Sequence, residues 1–317
     1  MAPKVAMEFP DGVFFADRSF ARRSMPKSLC VEANPGAHPI ASRDVIIDEE
    51  RGLWARIFLP ADQVIHHSRQ VPVAFYFHGG GFVCFTADTM EYHVLCELLA
   101  KKMGAIVISV NYRLAPENRL PAAYHDGFAA LKWLAQEQGG RKDPWLAAHA
   151  DLSKTLLVGD SSGANLVHHM LPMLAAAEDP AMSDIQVVGT VLIQPFFGGV
   201  ARVPSETKHR SPTPLISTDM CDRFWELALP IGADRDHPYC RVAAPDHPLP
   251  KTLIVAGGED VLCDRAKEFM ETMGGSSKDL ELLVIENAAH AFYIALESQE
   301  TAHFLDKVAT FAQGIFA

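Results

Sequence analysis

Short, nearly continuous apolar runs recur along the chain: VPVAFYF (71–77), AIVISV (105–110), TLLVG (155–159), VVGTVLIQP (187–195), KTLIVAG (251–257) and LELLVIE (280–286). A strand with one wet face alternates apolar and polar residues, so these runs predict strands buried on both faces. Segments with helical spacing lie between them, at 87–103, 121–139, Gly163 to Ala177 and near 262–273. Near the C-terminus Phe304, Val308, Phe311 and Ile315 recur at i, i+4, i+7 and i+11, which marks one apolar helix face. Upstream, DVIIDEE and LWARIFLP flank Arg51-Gly52, a hairpin signal. Strand alternating with helix predicts right-handed crossovers and an α/β fold: a mixed, mostly parallel sheet flanked by helices. Residues 198–250 are proline-rich, hold one helical piece (STDMCDRFWELAL) and break the alternation. Such an insertion is expected above the carboxyl ends of the strands. Residues 1–40 show no consistent period. One domain over residues 1–317 is expected.

Composition excludes more than it selects. The 317 residues are 49% hydrophobic and 21% charged, ordinary for a globular enzyme. A formal net charge of −11 repels nucleic acid and anionic membrane, so neither is expected as a partner. No apolar run reaches the length of a membrane span. The first residues carry Glu8, Asp11 and Asp17 and lack the apolar core of a secretory leader, which predicts a cytoplasmic protein. The six cysteines form no C-x-x-C pair and are read as reduced thiols. No metal or cofactor is expected.

The chemistry begins with TLLVGDSSGANLVHHM (155–170), which reads as a strand, then Gly159-x-Ser161-x-Gly163, then a helix. A serine on so sharp a turn projects its hydroxyl out of the sheet, and the two glycines leave room for the turn. A serine hydroxyl needs a base to act as a nucleophile. KTLIVAGGED ends at Asp260 and LELLVIENAAH ends at His290, each just after a strand-like run. Ser161, Asp260 and His290 follow the chain order of nucleophile, acid and base that this arrangement requires. Glu259 and Asp264 are the nearest rivals to Asp260. FYFHGGGFVCF (75–85) supplies the remaining part. Attack on an ester carbonyl develops an oxyanion that needs bare backbone donors. Gly79, Gly80 and Gly81, with the N–H of Ser162, are the candidates. Gly80 and Gly81 are the preferred donors, Gly79 is the turn, and His78 anchors the loop. Phe82, Val83, Cys84, Phe196, Phe224, Phe292 and Tyr293 are expected to wall an apolar pocket, with Phe197 and Trp225 as further candidates.

HGGGF, YRLAPE (112–117), PAAYHD (121–126), GDSSGAN and GGEDVLCDRA (257–266) together resemble the plant carboxylesterases of the hormone-sensitive-lipase branch of α/β-hydrolases. The resemblance runs from residue 41 to about 315. It implies an α/β-hydrolase fold whose cap comes from residues 1–40 and about 198–230, with residues 1–30 as lid rather than core. It implies a carboxylesterase acting on small apolar acyl or aryl esters through a Ser-His-Asp triad and an acyl-enzyme. Two alternatives share the fold. One is a catalytically dead hormone receptor of the gibberellin-receptor type, in which the triad histidine is replaced. The other is a lyase or dehydratase that uses the histidine as base without acylating the serine. The intact His290 favours catalysis.

Overall fold

The computed structural model describes residues 4–9, 12–30, 39–60, 70–137, 143–208, 215–243, 249–274 and 279–317. The chain opens with β1 (Val5–Phe9), β2 (Gly12–Phe15) and β3 (Phe20–Arg22), a small antiparallel sheet of its own. Then come β4 (Ile40–Asp48), β5 (Leu53–Pro60), β6 (Val71–Phe77), α1 (Met90–Met103), β7 (Ile106–Asn111), α2 (Ala122–Glu137), α3 (Pro144–His149) and β8 (Ala150–Asp160). The remainder is α4 (Ser162–Ala175), β9 (Val187–Ile193), α5 (Pro204–Thr207), α6 (Thr218–Ala228), β10 (Lys251–Gly257), α7 (Cys263–Thr272), β11 (Leu280–Ile285) and α8 (Gln299–Phe316).

The main sheet runs β11-β10-β9-β8-β6-β7-β5-β4. Its pairs are parallel from β11 to β7, while the β4–β5 hairpin joins β7 antiparallel. This is the mixed, mostly parallel sheet that the apolar runs predict. The reason those runs lack alternation is plain in β6. Val73, Phe75 and Phe77 belong to one apolar cluster and Ala74 and Tyr76 to another, one on each face. Leu95 and Leu99 of α1 and Phe304 and Val308 of α8 join the second cluster. Leu131 of α2, Leu166 of α4, Phe224 of α6 and Phe269 of α7 join the first. No helix among the described residues is long and apolar enough to cross a membrane.

Two registers position the site. Phe77 pairs with Gly159 in the β6–β8 ladder, so the glycine loop and the serine turn leave the sheet side by side. Gly257 pairs with Ile285 in the β10–β11 ladder, which brings together the loops that carry Asp260 and His290.

Residues 1–40 are more ordered than their lack of period suggests. The Phe14 ring of β2 lies 5.1 Å from Phe20 and 5.6 Å from Phe224 of α6, so the N-terminal sheet meets the insertion. Arg22 donates from Nε to the Val83 carbonyl at 2.6 Å and from Nη2 to that of Ala115 at 2.7 Å. Buried Arg56 donates from Nη1 to Ser28 Oγ at 2.7 Å, and Met90 N–H donates to the Pro26 carbonyl at 3.2 Å. Residues 1–3, 10–11, 31–38 and 209–214 of the expected cap lie outside the described residues.

Candidate active site

Ser161 sits between β8 and α4 with φ 51° and ψ −115°, a conformation that L residues rarely adopt and that functional turns retain. Neighbours leave no alternative. A Cβ on Gly159 would strike the Gly163 carbonyl, and one on Gly163 would strike that of Phe77. The turn is held by Ser161 N–H to the Ile193 carbonyl at 2.8 Å and by Phe196 N–H to the Ser161 carbonyl at 2.9 Å.

Asp260 and His290 are both buried, and His290 Nδ1 lies 2.8 Å from Asp260 Oδ2. Asp260 Oδ1 accepts from Leu262 N–H at 3.0 Å, which fixes the carboxylate plane. Of the rivals, Asp264 accepts instead from Ser205 N–H at 2.8 Å. Ser161 and His290 line one cavity of about 160 Å³. Among the described residues no hydrogen bond joins Ser161 Oγ to the ring, a bond that commonly tightens only in the substrate complex.

The glycine loop divides its labour. Gly80, at φ 104°, and Gly81, at φ 62°, both line the cavity. The Gly80 carbonyl accepts from Val83 and Cys84 N–H at 2.9 Å, which closes a tight turn. Gly79, a candidate donor but read first as the turn residue, donates its N–H to Tyr92 Oη at 3.1 Å, so that group is spent. Its lack of a side chain serves packing, because a Cβ there would strike Asp160 Oδ2. Ser162 is buried at the start of α4, where the first N–H groups have no partner within the helix. His78 is buried and anchors the loop: Nδ1 lies 2.8 Å from the Gly79 carbonyl and the ring stacks on Tyr112 at 4.4 Å. Burial lowers its pKa to about 4, so the ring is neutral at pH 7.

Phe196, Phe224 and Tyr293 line the cavity, as do Met25 of the N-terminal segment and Met220 of α6. Phe82, Val83, Cys84 and Phe292 do not, contrary to expectation. Phe82 has φ 64°, and its ring turns into the core, 6.0 Å from Tyr124 and 6.0 Å from Trp225. Val83 and Cys84 follow it inward and are fully buried. The Phe292 ring packs 5.7 Å from Phe304 of α8. Phe197 stacks on Phe269 at 5.2 Å, and Trp225 stacks behind Phe196 at 4.4 Å.

Two residues at the site escape sequence reasoning. Asp160, buried beside Ser161, accepts hydroxyl hydrogen bonds from Tyr76 at 2.5 Å, Tyr92 at 3.1 Å and Tyr293 at 2.5 Å. Burial raises its pKa, and the three hydroxyls oppose part of that rise. The tyrosines come from β6, α1 and the loop after His290, so no local spacing reveals the cluster. Gln194, at φ 45°, donates from Nε2 to the Ala289 carbonyl at 3.0 Å and accepts from Ala291 N–H at 2.7 Å, which clamps both sides of His290. Its only sequence signal is a polar residue closing an apolar run.

A family profile for the alpha/beta hydrolase fold matches residues 74–294. The gibberellin receptor GID1C of Arabidopsis thaliana is 35% identical, over 95% of this chain and 88% of its own. Probable carboxylesterase 6 of the same plant is also 35% identical, over 82% of this chain and 76% of its own. Among solved structures, the thermophilic carboxylesterase EstE1 from a metagenomic library superposes with a TM-score of 0.74 at 25% identity, covering 88% of this chain and 91% of its own.

Proposed function

The chain belongs to the α/β-hydrolase family, on its plant carboxylesterase branch, and we propose that it hydrolyses small apolar carboxylic esters through an acyl-enzyme on Ser161. The observation that carries this reading is the strained turn of Ser161 opening on the same cavity as a His290 ring bonded to Asp260. Ser161 Oγ attacks the carbonyl carbon while His290 Nε2 takes its proton. Asp260, bonded to Nδ1, holds the ring in the tautomer that leaves Nε2 free to accept. Charge on the carbonyl oxygen is met by the N–H groups of Gly80, Gly81 and Ser162, the last aided by the positive end of α4. The tetrahedral intermediate collapses as the imidazolium protonates the leaving alcohol. Water, deprotonated by the same ring, then releases the acid. A cavity of about 160 Å³ is close to the size that holds a benzene ring, which favours a small acyl or aryl group.

Similarity to the gibberellin receptor over nearly the whole chain favours a second reading, a binding protein without turnover. Hydrolysis of 4-nitrophenyl acetate by the native protein and by Ser161→Ala separates the two. The hydrolase reading expects turnover that falls by about 10⁴–10⁶ in the variant. Equal rates in both proteins, or none in the native one, would defeat it.

A further inference from the structure

β9 lies in the sheet between β8, which leads to Ser161, and β10, which leads to Asp260. Its exit, Ile193 to Phe196, touches both the serine turn and the histidine loop. The backbone of this segment holds the first. The Ile193 carbonyl accepts from Ser161 N–H at 2.8 Å, and Phe196 N–H donates to the Ser161 carbonyl at 2.9 Å. The side chain between them holds the second. Gln194 Nε2 donates to the Ala289 carbonyl at 3.0 Å, and Oε1 accepts from Ala291 N–H at 2.7 Å. Those two groups belong to the peptides on either side of the His290 Cα, so one amide fixes the backbone on both sides of the ring.

Gln194 is held as firmly as it holds. It is buried and sits at φ 45°, a region that L residues rarely adopt. Ala291, its partner, is also left-handed at φ 56°. Such backbone persists where its surroundings impose it. Gln194 N–H donates to the Val255 carbonyl of β10 at 2.7 Å, so the residue is rooted in the sheet. Room for the amide comes from Gly257, where a Cβ would lie 2.7 Å from Nε2. The position calls for a glutamine. One planar group must donate on one side and accept on the other, which an ionised acid or amine cannot do. Asparagine carries the same amide on a stem one methylene shorter. Asp260, 2.8 Å from His290 Nδ1, orients the ring but leaves the placing of its backbone to the loop.

We propose that Gln194 is a positioning residue that sets the separation of Ser161 and His290, with segment 193–196 as the gauge between the two. The inference rests on the ester-hydrolase reading above and adds the group that preorganises its proton transfers.

The test uses ethyl acetate and 4-nitrophenyl acetate. Both need His290 to take the serine proton. Only the ethyl ester also needs that proton returned to its leaving group, because 4-nitrophenolate departs as a stable anion. A displaced ring therefore harms the ethyl ester more, whereas partial unfolding harms both alike. Gln194→Asn suits the left-handed backbone but is too short to span both peptides. Gln194→Met keeps the length and loses both bonds. In each variant kcat/KM for ethyl acetate should fall by about 10²-fold, as a misplacement of about 1 Å costs. For 4-nitrophenyl acetate the fall should be about tenfold, with only the base step impaired. A thermal melt of each preparation reads folding separately. If Gln194→Met does not fold, Gln194→Asn decides by the same comparison. Equal losses on the two esters, native rates in folded variants, or loss of folding in both would overturn the positioning role and leave the hydrolase reading standing. Native turnover of the nitrophenyl ester alone would mean that the ring does not serve the leaving group, which also overturns it. No turnover of either ester by the native protein would defeat the hydrolase reading and this assignment with it.

Discussion

Asp160, the residue before Ser161, accepts a 2.5 Å hydrogen bond from Tyr293, the third residue after His290. The loop carrying His290 is thus tied to the turn carrying Ser161. Removing that hydroxyl with Tyr293→Phe should leave the fold intact, because the ring still packs against Phe304 at 6.0 Å. It should lower stability by about 1.5–3 kcal/mol, the cost of one buried charge-assisted bond. If the tie positions His290, kcat should fall by roughly tenfold with little change in KM. Steady-state kinetics and a thermal melt on the same preparation check this. A stability loss with unchanged kcat would make the tie purely structural.

Gly81 has φ 62°, and a Cβ there would lie 2.6 Å from Cγ of Phe224. Gly81→Ala therefore shifts either the loop or the pocket wall. With the Gly81 N–H in its proposed oxyanion role, its displacement should cost about 10²–10³ in kcat. Gly232→Ala is the control: it shares the positive φ, at 85°, but no atom crowds it. It should be mildly destabilised at unchanged kcat. Similar kinetic losses in both variants would point to general backbone strain.

Arg22 braces the far side of the same loop through the Val83 and Ala115 carbonyls. Arg22→Met should lower kcat/KM by about 3–10-fold and stability by about 1–3 kcal/mol, since two charge-assisted bonds are lost. Urea unfolding and ester kinetics read the two effects. An unchanged kcat/KM would mean that the N-terminal sheet covers the site without supporting it. Deleting residues 1–30 is a harsher change than a removable lid implies. It also strips Ser28 from buried Arg56 and Met25 from the cavity.

The main sheet was legible because strands buried on both faces leave long apolar runs, and 71–77 and 251–257 match β6 and β10 residue for residue. Ser161, Asp260 and His290 could be nominated as candidates because each lies a few residues past the end of such a run. The N-terminal sheet was not legible. Its strands are short, and Phe14 is buried against Phe224, some two hundred residues away. Phe82, Val83 and Cys84 misled for a backbone reason. The positive φ of Phe82 reverses the direction in which the chain leaves the glycines, and residue type alone does not report that. Asp160 looks like an ordinary acid at a strand end until its three tyrosine neighbours are known.

Burial lowers the pKa of both His78 and His169 to about 4, against an ordinary 6.5. Below pH 6.5 the unfolded chain binds these protons and the folded chain does not. Stability is therefore fully present above about 6.5 and is lost as pH falls from there toward 4. Each histidine contributes about 2 kcal/mol of loss by pH 5. Urea midpoints at pH 7, 6 and 5 should decline in order, and His78→Gln should flatten the decline. A flat profile in the native protein would mean that these rings find protonation as easy folded as unfolded.

The acyl-enzyme on Ser161 is tested most directly by mass spectrometry after treatment with an alkyl phosphonofluoridate. The serine oxygen displaces fluoride and retains the phosphonyl group in place of the acyl group. The account predicts one adduct per chain on the peptide carrying Ser161, with loss of ester hydrolysis in step with labelling. Ser161→Ala should take up none. An adduct on Ser162 or elsewhere, or continued hydrolysis by fully labelled protein, would contradict it.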